Sequence, residues 1–395
     1  MINTPILSYG FSHHLFHQAA ELSHHFPDAR VATSSFVPEK TVRRAARFSP
    51  RLGTYLARRS HPAVPTQMVK TYTVEQWWQI GARLLKRPYS YFAAHDRMAR
   101  RITRDFNPPK VLLAVDTGAE SLFRIWGSQT TRILDLTIAV PQYREHIFRA
   151  AAADPANAGV EFHYPGQWEI DRYATEVAAA DLILCPSEFV RDSCLFLGTP
   201  AEKLRILPYG FDPARFTPRD QPANIRGPFQ VLFAGLFCHR KGSHLLLPAF
   251  ERLRNSFPDA ELHVFGEVMD RPARLPDGVT LHGRIPQSEL AAKFRSMDVM
   301  AFPTLFEGSA YVAYQAMASG LPVITTRNCG SLVDKTTGHI MPQISIDSLH
   351  AALVDAATNR AQWHQRGHQA ATKVREYSWQ HYGDRLKSIL QPFLD

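Results

Sequence analysis

Cysteine is scarce. Cys185, Cys194, Cys238 and Cys329 are the four in 395 residues, scattered without metal-ligand spacing. That pattern argues against a disulfide framework and fits buried, reduced thiols in a cytoplasmic protein. No apolar run reaches the ~18 residues needed to span a bilayer. The opening MINTPILSYGFSHH has no basic stretch followed by an apolar one, so it does not read as a secretory signal. Acid is missing where base is dense: Arg43, Arg44, Arg47, Arg51, Arg58 and Arg59 have only Glu39 nearby. Arg83, Lys86, Arg87, Arg97, Arg100, Arg101 and Arg104 repeat the bias. No nucleic-acid-binding motif accompanies this charge, so nucleic acid is the least favoured partner. Anionic lipid headgroups at the inner membrane face, or a phosphorylated substrate, remain beside the plain alternative of a solvated basic face.

What is present is enough for two cores. Hydrophobic residues make up 45% of the chain and charged residues 21%, with a formal net charge of +9. That length exceeds what one hydrophobic core normally supports.

Strand-like and helix-like segments alternate. ILSYG, then Phe11 to His25, then ARVATSSF read as strand, helix and strand, whereas about 39–65 reads as an irregular basic insertion. TVEQWWQIGARLLKR and FAAHDRMARRITRDF read as helices, with Trp77 and Trp78 as core residues, and KVLLAVD and TRILDLTIA as strands. A long helix-prone region follows, ending in ATEVAAADLILCPSEFVRDSC. After a linker, ILPYGFDPARFTPRDQPANIRGP, the second half repeats the grammar more clearly. FQVLFAGL, ELHVFGE, VTLHGRI, DVMAFPT and LPVITT are strands, separated by amphipathic helices. The expected class is α/β, with two Rossmann-like domains facing each other across a cleft. The expected boundaries are 1–207 and 208–375, with a last helix at 376–395 crossing back to the first domain.

Two strand-to-helix turns of the second half could bind an anion. In LFEGSAYVAYQAMASG, Glu307 precedes Gly308, Ser309 and Ala310, which open a helix whose unpaired amides suit a pyrophosphate. Gln315, two turns on, could face the same ligand. Glu307 as an ordinary helix-start carboxylate and Gln315 as a surface residue fit the spacing equally well. In AGLFCHRKGSHLLL, Gly235 ends a strand and Arg240-Lys241 precede a helix, where open α/β sheets place ligands. Together the two turns read as a nucleotide-diphosphate pocket.

From about Glu176 to Ile346 the chain resembles the family-four retaining glycosyltransferases. The matching pieces are ADLILCPSEFVRDS, KLRILPYGFDPARFTP, FAGLFCHRKG, VFGE, HGRIPQSELAAKFRSMDVMAFPT and EGSAYVAYQAMASGLPVITTRNCGS. The resemblance implies the GT-B fold and transfer of a sugar, such as a hexose, from a nucleotide-diphosphate sugar, with no metal or other cofactor. It implies a glycan, lipid-linked or small-molecule acceptor, as in polysaccharide biosynthesis. By matching position, Lys241 with Arg240 would hold the diphosphate and Glu307 would reach the transferred sugar. Gly308, Ser309 and Ala310 would meet the phosphates, Arg284 and Ile285 the base, and Gly10 the diphosphate from across the cleft.

Two positions depart from the family pattern. Gln315 stands where a second glutamate usually grips the ribose, and Leu236 where many relatives carry arginine. These departures leave open a non-catalytic subunit of the same fold that binds nucleotide or scaffolds a glycosylation complex. In the first half, Val140 occupies the place of a family histidine, leaving Asp135, His146 and His13 as candidate acceptor or sugar contacts. The run His13, His14, His17, His24 and His25 invites a metal reading, but no cysteine joins it and only Glu21 is near. Metal is not expected there.

Overall fold

The computed structural model describes residues 1–10, 14–74, 91–212, 216–218 and 227–395. Runs such as VLLAV, LILC and VMAF are buried at every position, as strands covered on both faces must be. They build two parallel sheets. The first holds β1 (Ile6–Tyr9), β2 (Arg30–Thr33), β3 (Val69–Thr71), β4 (Val111–Val115), β5 (Thr131–Asp135), β6 (Leu182–Cys185) and β7 (Leu204–Ile206). Its order is β3-β2-β1-β4-β5-β6-β7. The second holds β8 (Gln230–Ala234), β9 (Glu261–Phe265), β10 (Val279–Gly283), β11 (Val299–Phe302), β12 (Val323–Thr325) and β13 (Gly338–Ile340), in the order β10-β9-β8-β11-β12-β13. In both sheets the strand order reverses beside the first strand, at β1/β4 and at β8/β11. The crevice beyond the carboxyl ends of the strands at such a point is where open α/β sheets bind ligands.

Two expectations need correction. Residues 182–185 are a strand, not the continuation of a helix; a short apolar run carries no periodicity to separate the two. The basic stretch is not irregular either. It folds as two short helices, Glu39–Phe48 and Pro50–Ala57, with Ser49 capping the second through its hydroxyl to the Leu52 amide. Trp77 and Trp78 lie outside the described residues, as does most of the helix expected around them.

Two hydrophobic contacts among those that join the halves stand out. Leu305 and Phe306, which precede Glu307, belong to the hydrophobic core of the first half, and the Phe306 ring lies 4.9 Å from Phe148. The closing helix, Trp379–Leu390, packs on the first helix, His14–His25. It buries Tyr382, Leu386 and Leu390, one face at i, i+4 and i+8 spacing, in the core of the first half. Trp379 stacks on His17 with ring centroids 4.4 Å apart. Leu386→Ala should therefore cost about 2–5 kcal/mol of stability, seen as a lower denaturant midpoint. An unchanged midpoint would mean that this helix does not hold the first half together.

Candidate functional site

In the second half the backbone delivers two cations to one carboxylate. After β8, a tight turn at His239–Lys241 ends on Gly242, held at φ 82°. A side chain on Gly242 would overlap the Pro303 carbonyl, so the turn can lie against the end of β11 only with glycine. The Lys241 Nζ sits 3.4 Å from where a Cβ on Gly235 would stand and 3.2 Å from the Glu307 Oε1. The Arg240 guanidinium donates to the same oxygen at 2.7 Å and to the Phe306 carbonyl at 2.9 Å. Glu307 is largely enclosed, with its side chain 13% exposed. One carboxylate facing two cations leaves a net positive charge in a partly dry site, where charge interactions are stronger than in water.

The amides beside this cluster divide in two. That of Ala310 is spent on the Cys329 carbonyl at 3.1 Å. Those of Gly308 and Ser309 make no hydrogen bond to any described residue. Two free amides next to paired cations at a switch point suit an anion.

Glycine at 308 has a second cause that the sequence does not show. Any side chain there would overlap the Thr137 carbonyl of the first half. The Ser187 hydroxyl donates to the Gly308 carbonyl at 2.6 Å, tying the loop down from the other side. Thr137 is itself held by the buried Asp116, which accepts from its amide at 2.8 Å and from its hydroxyl at 2.9 Å. Beside this seam lies a cavity of about 300 Å³, lined by Ile138, Arg144, Phe148, Phe162, Leu236 and Arg240 among others. Leu236, one of the two departures from the family pattern, gives this cavity an apolar wall. The His239 ring reaches across to the Glu161 carbonyl at 2.9 Å.

Arg240, Lys241, Glu307, Gly308 and Gly235 therefore converge. Gln315 is buried in the following helix, and its amide makes no hydrogen bond to a described residue. Ser309 gives its hydroxyl to Tyr314 at 3.2 Å. Arg284 is exposed and paired with Glu267, while Ile285 packs against the core of the second half. Gly10 directly follows β1, where a Cβ would come within 2.6 Å of the Val115 side chain.

The first-half candidates separate. Asp135 is buried and held by Gln18 at 2.9 Å and by His14 at 3.2 Å, with Gln18 also reaching the Tyr382 hydroxyl. His146 is exposed and lies against Phe196. His13 lies outside the described residues. The neighbouring histidines have structural partners: His14 stacks on Tyr209, His17 on Trp379, and His25 faces Asp384 at 3.3 Å.

Sequence reasoning missed the buried acids behind the seam. Thr117, just past β4, has φ 66°, the only non-glycine with a positive φ among the described residues. Glu176 holds that turn by accepting from the amides of Thr117 at 2.7 Å, Ala119 at 2.9 Å and Glu120 at 3.0 Å. The lone signal was Glu176 just before the short apolar stretch Val177–Ala179 that ends its helix. Burial pushes Glu176 up to about 7 despite Arg172 beside it. It likewise pushes Asp116 up to about 6 against the hydrogen bonds from Thr137. A carboxylate raised in the folded state holds its proton there longer than in the unfolded chain. Its contribution to stability is thus present at low pH and is lost as pH rises from about 4 towards 6. Asp116→Asn should remove this part of the slope, narrowing the change between those pH values by about 2–3 kcal/mol relative to wild type. Parallel unfolding curves for the two proteins across pH would contradict it.

Comparison with known proteins fits this geometry. Residues 228–359 match the family model described as Glycosyl transferases group 1. The chain is similar to the D-inositol 3-phosphate glycosyltransferase of Pseudarthrobacter chlorophenolicus, 31% identical over 48% of this chain and 49% of that protein. It is also similar to the GDP-mannose-dependent alpha-(1-6)-phosphatidylinositol monomannoside mannosyltransferase of Mycolicibacterium smegmatis, 28% identical over 45% and 53%. The matched region spans about half the length of these relatives. Among solved structures, Anabaena Alr3699/HepE in complex with UDP aligns over 98% of this chain and 100% of its own, with a TM-score of 0.65 at 13% identity. Residues 228–359 are thus similar to the glycosyl transferases group 1 family, within a chain that shares the GT-B fold of the solved glycosyltransferase structures.

Proposed function

We propose that this protein is a retaining glycosyltransferase that moves a sugar, such as a hexose, from a nucleotide-diphosphate donor to a glycan, lipid-linked or small-molecule acceptor. The observation that carries the reading is the meeting of Arg240 and Lys241 on Glu307, beside the unbonded amides of Gly308 and Ser309. The donor diphosphate lies against the two cations and the amides, while Glu307 orients the sugar. As the bond between the sugar C1 and the diphosphate oxygen breaks, negative charge grows on the leaving group. Fixed donors aimed at that charge lower the barrier, each by a few kcal/mol. The acceptor hydroxyl attacks C1 from the face of departure, and its proton passes to the leaving phosphate oxygen. This chain's own cations do the neutralising, and the reading needs no metal. Arg284 and Ile285 at the end of β10 are proposed to meet the base.

Two similarities refine the partners. The HepE structure was determined with UDP, which makes UDP the first nucleotide to try. The Mycolicibacterium relative is named for a lipid, a phosphatidylinositol monomannoside, which supports a lipid-linked acceptor and work at an anionic membrane surface. Among the described residues no helix is long and apolar enough to cross a membrane, so such contact would be peripheral.

Lys241→Ala removes one charge-assisted contact with the diphosphate. It should weaken UDP binding by about 1.5–3 kcal/mol, roughly ten- to a hundredfold, and lower turnover at least as far. Titration of UDP and of UDP-sugars against both proteins measures it. Equal binding and equal turnover would overturn the donor-site assignment.

A further inference from the structure

We infer that the helical pair Glu39–Ala57 is a docking element for an anionic lipid bilayer, seating the protein so that its cleft opens at the membrane surface. The inference deepens the proposed function, since it names where a lipid-borne acceptor would be met.

Three features of the pair carry it. The first is its burial. No residue of the first helix is buried, and Gly53 alone is buried in the second, where it packs on Ala46. The two helices cover each other and little else. The second feature is its exposed apolar side chains. Phe48, the last residue of the first helix, is 89% exposed, and Leu52 and Tyr55, on one face of the second by i, i+3 spacing, are 46% and 50% exposed. Large apolar side chains exposed on cationic helices are suited to cover by an apolar phase. The third is charge. Between residues 39 and 59 there are six arginines and Lys40 against Glu39 alone. Glu39 neutralises one of them, Arg43, in an exposed pair.

The occupant follows from the combination. Nucleic acid would use the arginines and leave Phe48 and Leu52 in water. A folded acidic protein would need a cavity to receive Phe48. A bilayer takes both at once, with headgroup phosphates on the arginines and the ring at the acyl boundary.

The fold sets the orientation. The pair leaves the sheet at the carboxyl end of β2, the same end at which Thr137, past β5, meets Gly308. Its base is closed by the Val37 amide donating to the Arg59 carbonyl at 2.7 Å. On either side of that base, Phe36 and Val64 are buried in the core of the first half. The helices are thus fixed to the cleft edge of the first sheet. A bilayer seated on them would lie beside the crevice.

The test is co-sedimentation of the full chain with vesicles of phosphatidylcholine alone or mixed with phosphatidylglycerol. The wild type should bind the mixed vesicles and not the neutral ones, and should be released by salt. Phe48→Ser/Leu52→Ser should weaken that binding roughly tenfold, and Arg43→Glu/Arg47→Glu/Arg51→Glu should abolish it. UDP binding, measured in parallel, should be unchanged in both variants. That control shows that they are folded and separates a failure here from a failure of the donor site. Vesicle binding by the charge-reversed protein equal to wild type would overturn the inference. So would binding that ignores the loss of Phe48 and Leu52, or tighter binding to duplex DNA than to mixed vesicles.

Discussion

The position of the Glu307 loop rests on a single steric fact: the Thr137 carbonyl occupies the space a side chain at 308 would need. The loop that brings Glu307 to Arg240 and Lys241 is therefore wedged against the other half of the molecule. Much of the neighbouring structure keeps that wedge in place. Asp116 holds Thr137, Ser187 holds the Gly308 carbonyl, and Leu305 and Phe306 anchor the approach in the opposite core. Gly330 completes the fit, since a Cβ there would press on the Ser187 hydroxyl at 2.8 Å. A site assembled from two halves in this way keeps its charges close only while the halves stay together, and the closing helix binds them a second time.

Burying Asp116 and Glu176 behind the seam is costly, because burial disfavours the charged form of each and raises both pKa values. What they provide is geometry. Glu176 turns the chain sharply at Thr117, and Asp116 fixes Thr137 through two hydrogen bonds. Backbone strain and buried acids at the carboxyl end of a central strand are the kind of local cost that functional sites carry.

The fold, and the meeting of Arg240 and Lys241 with Glu307, were largely legible in the sequence. Strands of the second half announce themselves as apolar runs bounded by glycine, and Arg240, Lys241 and Glu307 sit at strand-to-helix turns where parallel sheets put ligands. What was not legible depended on distance along the chain. Nothing local says that Gly308 meets Thr137, or that His14 and Gln18 reach Asp135. The apolar LILC segment gave no period to mark it as a strand. The basic stretch looked irregular because its helices lack the buried stripe by which helices are recognised, and that missing stripe is itself the clue to its use.

The charge at the site explains why an acid belongs among the cations. Without Glu307, Arg240 and Lys241 would sit unpaired in a largely enclosed site and repel each other, which would favour opening the turn. With it, the turn closes around a net single positive charge. On the proposed reading, a donor diphosphate, with more negative charge than the carboxylate spread over several oxygens, would compete for both cations and for the amides of Gly308 and Ser309. The Glu307 side chain would then be free to turn towards the sugar, while its backbone stays fixed by its amide donating to the Asn328 carbonyl at 2.9 Å. On that reading a single carboxylate would both hold the two cations together and supply a contact for the sugar.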